Sequence, residues 1–333
     1  MKKEHAYTND LEKILDTKPL KQMKGKDFLR TDDVNEEQSY MLFHLAERLK
    51  KIHQDHEPLP HLLNQKTVTL FFEKPSTRTR VSFDAGVHLL HGHSLFIDKT
   101  ITQMGRGEDM QDTALTLSRY TDCIMARVFE HKELETMAKY SDKPIVNGLT
   151  NEDHPCQILS DLFTIREHFK RLNNITLMYT GVSDNITDSL LVGCAMLGVN
   201  MYVASPKQFP VSQKYLKIAH SYAKKSGSEI RVFNEMPGKE ILKNVNVVYT
   251  DEWESMHMKL DKKKLFPTLS KFQLNEKLLQ KCARGAVGMH CLPALKGEEV
   301  SHNVMYAKNS LVWEQARNRM YVQMALLSAI LRS

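Results

Sequence analysis

The sequence predicts an α/β fold of two domains, each a parallel sheet flanked by helices and joined by interdomain helices. Three observations predict it. At 333 residues the chain exceeds the roughly 100–200 residues of one typical domain and has length for two cores. In the first half, the apolar run 67–72 (Thr-Val-Thr-Leu-Phe-Phe) gives way through a polar string to helix-spaced Val81, Phe83, Ala85, Val87 and Leu90. In the second half, short apolar runs at 174–180, 200–205, 229–233, 245–250, 285–290 and 310–313 alternate with helical or loop segments. That alternation is the pattern of an open parallel sheet covered on both faces. The expected boundary lies at 150/151, with domains 1–150 and 151–317 and a C-terminal helix, 318–333, that returns to complete the first.

The elements follow in order. The first 25 residues are polar and weakly periodic, an extension with one helix. Residues 36–52, with Met41, Leu42, Leu45, Ala46 and Leu49 on one face, form an amphipathic helix. The strand at 67–72, the polar string and its helix come next. A short apolar segment, 94–97, leads into a polar loop with Gln103, Gly105 and Gly107, then a helix at 110–120. Strands are expected at 123–128, ending near Arg127, and at 144–147. From His154 a helix runs through Leu159, Leu162, Phe163 and Ile165 and links the two halves. The final helix, Asn318 to Leu331, is apolar all round, as a helix docking onto the first domain would be.

Composition narrows the function. The balance of 46 Lys+Arg against 40 Asp+Glu gives a formal charge of +6, mild and compatible with small anionic substrates. Nucleic-acid binding would need a concentrated basic patch with interleaved aromatics, and Lys262-Lys263-Lys264 has no such company; it reads as a solvated loop. The five cysteines are odd in number and contain no Cys-x-x-Cys, so neither a disulfide framework nor a zinc knuckle is expected, and a reducing cytoplasm is the default. No apolar run approaches the roughly 18–20 residues of a membrane span. The N-terminus lacks a signal peptide's apolar core and is too acidic for a transit peptide. Histidines 53, 56, 61, 91 and 93 lack His-Glu-x-x-His or comparable spacing, so no metal is expected.

The polar string Ser76-Thr77-Arg78-Thr79-Arg80 carries the chemistry. Ser76 or Thr77 is placed to cap the helix, whose first N–H groups and dipole favour an anion just outside. Arg78 and Arg80, two apart, cannot share a helix face and so serve different partners. This is a phosphate site built without glycine. By contrast Gly181, after a strand, opens Gly-Val-Ser-Asp-Asn-Ile and not Gly-x-Gly-x-x-Gly, so a dinucleotide pyrophosphate is not provided for. Gly105-Arg106-Gly107 reads as a turn.

Four ordered motifs, from about Lys74 to Arg319, carry a resemblance. They are Ser76-Thr-Arg-Thr-Arg80, His154-Pro-Cys-Gln157, Asp251 with Ser255-Met256, and His290-Cys-Leu-Pro293. Together they resemble the aspartate and ornithine carbamoyltransferase family. The resemblance implies that Ser76, Thr77, Arg78 and Thr79 hold the phosphate of carbamoyl phosphate, with Thr79 also reaching the carbonyl oxygen. It implies that Arg127 and His154 donate to that oxygen, that Gln157 and the backbone of Cys291 and Leu292 hold the carbamoyl nitrogen, and that Arg319 contacts the same group. Gln103 matches a residue that reaches a neighbouring subunit's site, which implies a homotrimer or a multiple of trimers. Asn185, Asp251, Ser255 and Met256 are similar to the residues that bind L-ornithine. Cys291 has the look of a nucleophile, but phosphate is already a good leaving group and no covalent intermediate, cofactor or metal is needed. Position 257 is histidine where the ornithine branch has glycine, which leaves putrescine or an ornithine derivative as an alternative acceptor. A binding paralogue without activity is a third reading, and the intact polar string with Arg127, His154, Gln157 and Arg319 speaks against it.

Overall fold

The structure is a computed structural model, and it describes residues 2–102, 107–254 and 261–332. The chain divides into two compact units, Met1–Leu159 with Asn318–Ser333, and Ser160–Arg317. The division falls inside a helix, after Leu159, later than the expected 150/151.

The first unit is built on a four-stranded parallel sheet in the order β2-β1-β3-β4, comprising β1 (Thr67–Phe72), β2 (His93–Asp98), β3 (Cys123–Arg127) and β4 (Ile145–Leu149). Around it lie α1 (Lys2–Leu15), α2 (Lys18–Lys21), α3 (Glu36–Gln54), α4 (Thr77–Leu89), α5 (Met110–Leu117) and α6 (His131–Tyr140). The apolar runs 67–72 and 123–127 are buried almost throughout, as central strands with both faces covered must be. Asn35 caps α3 in a reciprocal box with Gln38, each side chain accepting the other's backbone N–H at 2.9 Å. The extension belongs to this core: Leu11, Ile14, Leu15, Leu20 and Met23 are buried, and Gly25 N–H donates to the Ile330 carbonyl at 2.9 Å.

Two helices span the division between units, α7 (Pro155–Phe169) and, after the second unit's elements, α14 (Val312–Leu331). Within the first unit α14 packs on α4 at Gly86, where an added Cβ would lie 3.0 Å from Met324 Cγ. Lys50 of α3 donates to Asn318 Oδ1 at 2.8 Å, fixing the backbone next to Arg319.

The second unit carries a five-stranded parallel sheet, β7-β6-β5-β8-β9. Its strands are β5 (Thr176–Thr180), β6 (Asn200–Ala204), β7 (Ile230–Phe233), β8 (Val247–Thr250) and β9 (Val287–His290). Its helices are α8 (Asn185–Met196), α9 (Gln213–Ser226), α10 (Lys239–Leu242), α11 (Lys262–Leu269), α12 (Glu276–Leu279) and α13 (His302–Tyr306). Two expectations are corrected here. Lys262–Lys264 open α11 instead of lying in a loop, because Asp261 accepts the Lys264 N–H at 3.3 Å as a cap and Leu269 is buried while Lys263 and Lys264 are exposed. The expected strand at 310–313 is reduced to an isolated bridge, Gly288 to Ser310, because the helix-forming run after Leu311 takes Val312 into α14.

In each sheet the strand order reverses once, between β1 and β3 in the first and between β5 and β8 in the second. Open parallel sheets bind ligands outside the carboxyl ends of the strands at such a reversal. The polar string follows β1 and Arg127 ends β3, while Asn185 lies just beyond β5 and Asp251 follows β8. Among the described residues no helix is long and apolar enough to cross a membrane.

Candidate active site

In the first unit the donors are wired to one another. Ser76, extended at φ −156° and ψ 111°, caps α4: its Oγ accepts the Thr79 N–H at 3.4 Å and donates to Thr79 Oγ1 at 3.2 Å. Buried Thr79 also accepts from Arg319 Nη2 at 2.8 Å, and Arg319 Nη1 donates to Gln157 Oε1 at 2.9 Å. Residues from α4, α7 and α14, far apart in sequence, therefore share one hydrogen-bonded line. Thr77 is exposed at the open end of α4, and Arg78 is half-buried behind it.

His154 and Arg127 complete this set. His154 is buried, and burial followed by the charges of Arg319, Arg127 and Arg78 holds its imidazole well below the usual 6.5. It is therefore neutral at physiological pH, a hydrogen-bonding group beside three guanidiniums. Arg127 is buried at the end of β3, where the pairing with β4 shifts register between Ala126 and Arg127. The extra residue is Gly148 of β4, so the ladder is disrupted beside Arg127. Arg80 points elsewhere, its guanidinium 3.6 Å from the centre of the Phe96 ring, so the two arginines of the string do serve different partners. Gln103 lies outside the described residues.

The second unit gathers an acid, a thiol and a histidine. Ligand atoms of Asp251, His290 and Cys291 lie within 4.8 Å of one another. Burial pushes the Asp251 carboxyl up to about 7, opposed by the Cys291 thiol donating to it and by the Glu252 N–H at 2.8 Å. The Cys291 thiol is in turn held well above 9 by burial and by the Asp251 charge, so it stays protonated. A protonated thiol is a poor nucleophile, which fits a positioning role. His290 Nδ1 accepts the Leu292 N–H at 2.9 Å, so its proton sits on Nε2, which faces Glu299 Oε1 at 3.1 Å. With both ring nitrogens engaged, this histidine is a brace for the Cys291–Leu292 backbone and not a ready metal ligand.

That brace fixes a costly conformation. Leu292 is left-handed at φ 64°. Such a backbone persists in a non-glycine residue only where its surroundings over-determine it. Behind it, Gln315 Oε1 accepts the His290 N–H at 3.0 Å while Gln315 Nε2 donates to Asp161 Oδ1 at 2.8 Å, and Asp161 Oδ2 accepts from Tyr249 at 2.8 Å.

Asn185 is the first residue of α8, half-buried, and Asp184 before it caps the helix by accepting the Ile186 and Thr187 N–H groups. Asp184 was not among the candidates drawn from the sequence. Burial and then the Asp251 charge push its carboxyl well above the usual range, which places the two acids in one electrostatic neighbourhood. Its signal in the sequence is an Asp at a strand-to-helix cap beside Asn185. Ser255, Met256 and His257 lie outside the described residues.

Guanidiniums and a neutral imidazole at a helix start, and buried carboxyl groups with a thiol at the other reversal, define a class: a transferase that works on small charged molecules by holding and polarising them. The family profiles agree. The one described as aspartate/ornithine carbamoyltransferase, carbamoyl-P binding domain, matches residues 26–167, and the Asp/Orn binding domain of the same family matches 173–330. The chain belongs to the aspartate/ornithine carbamoyltransferase family. It is 42% identical over 310 residues to an ornithine carbamoyltransferase of Anoxybacillus flavithermus, covering 93% of this chain and 98% of the relative. The structure of ornithine carbamoyltransferase from Pyrococcus furiosus matches with a TM-score of 0.88 at 36% identity, over 93% of this chain and 98% of that one. An aspartate transcarbamoylase from Trypanosoma cruzi, 23% identical with a TM-score of 0.86 over 94% of this chain and 98% of its own, shares the fold. The fold alone therefore does not choose the acceptor.

Proposed function

We propose that the protein transfers the carbamoyl group of carbamoyl phosphate to the δ-amine of L-ornithine, giving citrulline and phosphate. The observation that carries the choice of acceptor is Asp251, a carboxylate at the second unit's strand reversal whose burial makes its negative charge costly. An acceptor that brings an ammonium group relieves that cost, whereas aspartate would bring a second carboxylate to it. The names of the relatives at 37–42% identity support the same reading.

The first unit supplies most of the groups assigned to carbamoyl phosphate. Ser76, Thr77, Arg78 and Thr79, with the N-terminal amides of α4, take the phosphate; Arg127, His154 and Thr79 face the carbonyl oxygen; Gln157, Arg319 and the Cys291–Leu292 carbonyls hold the carbamoyl group. The second unit binds ornithine, with Asp251 on the α-ammonium and Asn185, Ser255 and Met256 on the α-carboxylate. The deprotonated δ-amine attacks the carbonyl carbon, the oxyanion formed is met by fixed donors, and the C–O bond to phosphate breaks as the carbonyl re-forms. His154, neutral, contributes a hydrogen bond and not a proton.

The assembly is a homotrimer or a multiple of trimers, to which Gln103 contributes across a subunit contact, and it works in the cytoplasm in arginine metabolism. Exposed apolar residues on and near the edge strand β2, namely Val81, Leu95, Phe96 and Ile101, the last 80% exposed, support self-association. Sedimentation at a mass three times 38.4 kDa, or a multiple of that, is expected.

Phosphate release from carbamoyl phosphate tests the reaction, measured with ornithine, putrescine, aspartate and N-substituted ornithines. Release with ornithine alone is the expected outcome. Release with a different amine reassigns the acceptor, and none with any amine removes the activity.

A further inference from the structure

Arg127 is held on two sides. Toward β4 the pairing skips Gly148 at the register shift between Ala126 and Arg127, and a Cβ added at Gly148 would lie 3.4 Å from Arg127 Cβ, so the β4 backbone comes close to the arginine's stem. Toward β1 a single residue, Glu73, spans it: the Glu73 N–H donates to the Arg127 carbonyl at 2.9 Å, and its carboxylate Oε2 accepts the Phe129 N–H at 2.7 Å. The other oxygen, Oε1, binds the Lys99 ammonium, and Lys99 also lies 3.9 Å from Glu133. The Glu73 side chain is only 8% exposed. One lysine thus faces two carboxylates, and it lies closer to Glu73 than to Glu133. With the β4 ladder disrupted beside Arg127, this strand end is pinned from the β1 side, at the residue itself and two residues on.

We propose that Glu73, charge-locked by Lys99, is a positioning residue that aims the Arg127 guanidinium. Glu73 precedes the polar string by three positions, so the segment that starts the anion-binding helix also sets the direction of the arginine from the neighbouring strand. Binding the anion and polarising the carbonyl are then aligned by one side chain that touches neither. The inference rests on the assignment of Arg127 to the carbonyl oxygen.

The test is a double-mutant cycle in the full chain with Glu73→Ala, Arg127→Ala and the pair. Glu73→Ala is expected to lower kcat on the order of 10- to 100-fold with KM for ornithine unchanged, since small misplacements of a catalytic group cost about that much. In the Arg127→Ala background the same change is expected to cost nothing further. Glu73→Gln keeps an acceptor for the Phe129 N–H but gives up the ion pair with Lys99, and is expected to restore only part of the turnover; it also serves where the alanine variant folds poorly. The Kd for carbamoyl phosphate alone follows the same non-additive pattern and is read whatever the acceptor amine proves to be, so failure of the ornithine assignment is seen separately. Wild-type kcat in Glu73→Ala, or a loss that multiplies with Arg127→Ala, would overturn the proposal.

Discussion

The two strand reversals are built alike and charged oppositely. In the first unit, three guanidiniums, a capped helix start and a neutral histidine surround the space beyond β1 and β3. In the second, beyond β5 and β8, burial raises Asp251's affinity for a proton, and burial and then the Asp251 charge raise that of Asp184. Each site carries an unfavourable field that a ligand of the right sign removes, an anion in one and an ammonium in the other. The same α/β scaffold therefore selects opposite substrates through a few residues at loop positions, which is why fold likeness alone does not separate ornithine from aspartate as acceptor.

The largest effect expected from breaking the first site is Arg127→Ala. Loss of one fixed donor to a developing oxyanion costs on the order of 10² to 10³ in kcat. Thermal unfolding should stay near wild type, because the arginine lies at a strand end; unchanged turnover would remove it from the reaction.

A smaller effect sharpens the contrast through pH. With Asp251 titrating at about 7 in the free protein, ornithine kcat/KM should climb from pH 6 to pH 8 as the carboxyl ionises. It should keep rising beyond, because the attacking amine resembles a lysine amine with a pKa of about 10.4. His154 should contribute nothing to that profile, and its ring signals in NMR should not move between pH 6 and 8. A flat profile, or a His154 titration near 6.5, would contradict the electrostatics of one site or the other.

The acid also costs stability, with a definite sign. Asp251 has a folded pKa above its ordinary 3.8, so the folded state binds more protons between about pH 4 and 7. The stabilising contribution of that proton is complete below 3.8 and lost as pH rises through 7. At pH 8, Asp251→Asn should therefore raise Tm in the absence of ligand, by roughly 2–4 °C, the shift that about 1 kcal/mol gives in a domain of this size. At pH 4 the two proteins should melt together. The smallest effect is Ser76→Ala, which removes the cap of α4 and should cost about 1 kcal/mol of stability together with a higher KM for carbamoyl phosphate.

Much of both sites was legible because it is local. The strand 67–72, its cap at Ser76 and the helix beyond occur where the change from an apolar run to helical spacing puts them. What was not legible depends on distant partners. The helix α6 drew no expectation from its charge-rich sequence, and its buried face, His131, Leu134 and Met137, is defined by what packs on it. The extension buries residues that show little periodicity. Glu73 reads as a charged residue ahead of a motif until Phe129 and Lys99 are seen beside it, and Gln315 acquires a role from Asp161, 154 positions away. Lys262–Lys264 misled because three lysines say solvent and solvent does not exclude helix.

The opposition between the two sites is tested most directly by the kinetic constants of Asp251→Ala for both substrates. KM for ornithine should rise on the order of 10- to 100-fold or more, as for a buried charge pair that loses one member, while the Kd for carbamoyl phosphate stays within twofold or so of wild type. Equal weakening of both ligands, or an unchanged KM for ornithine, would mean that the second site does not read the acceptor through its carboxylate.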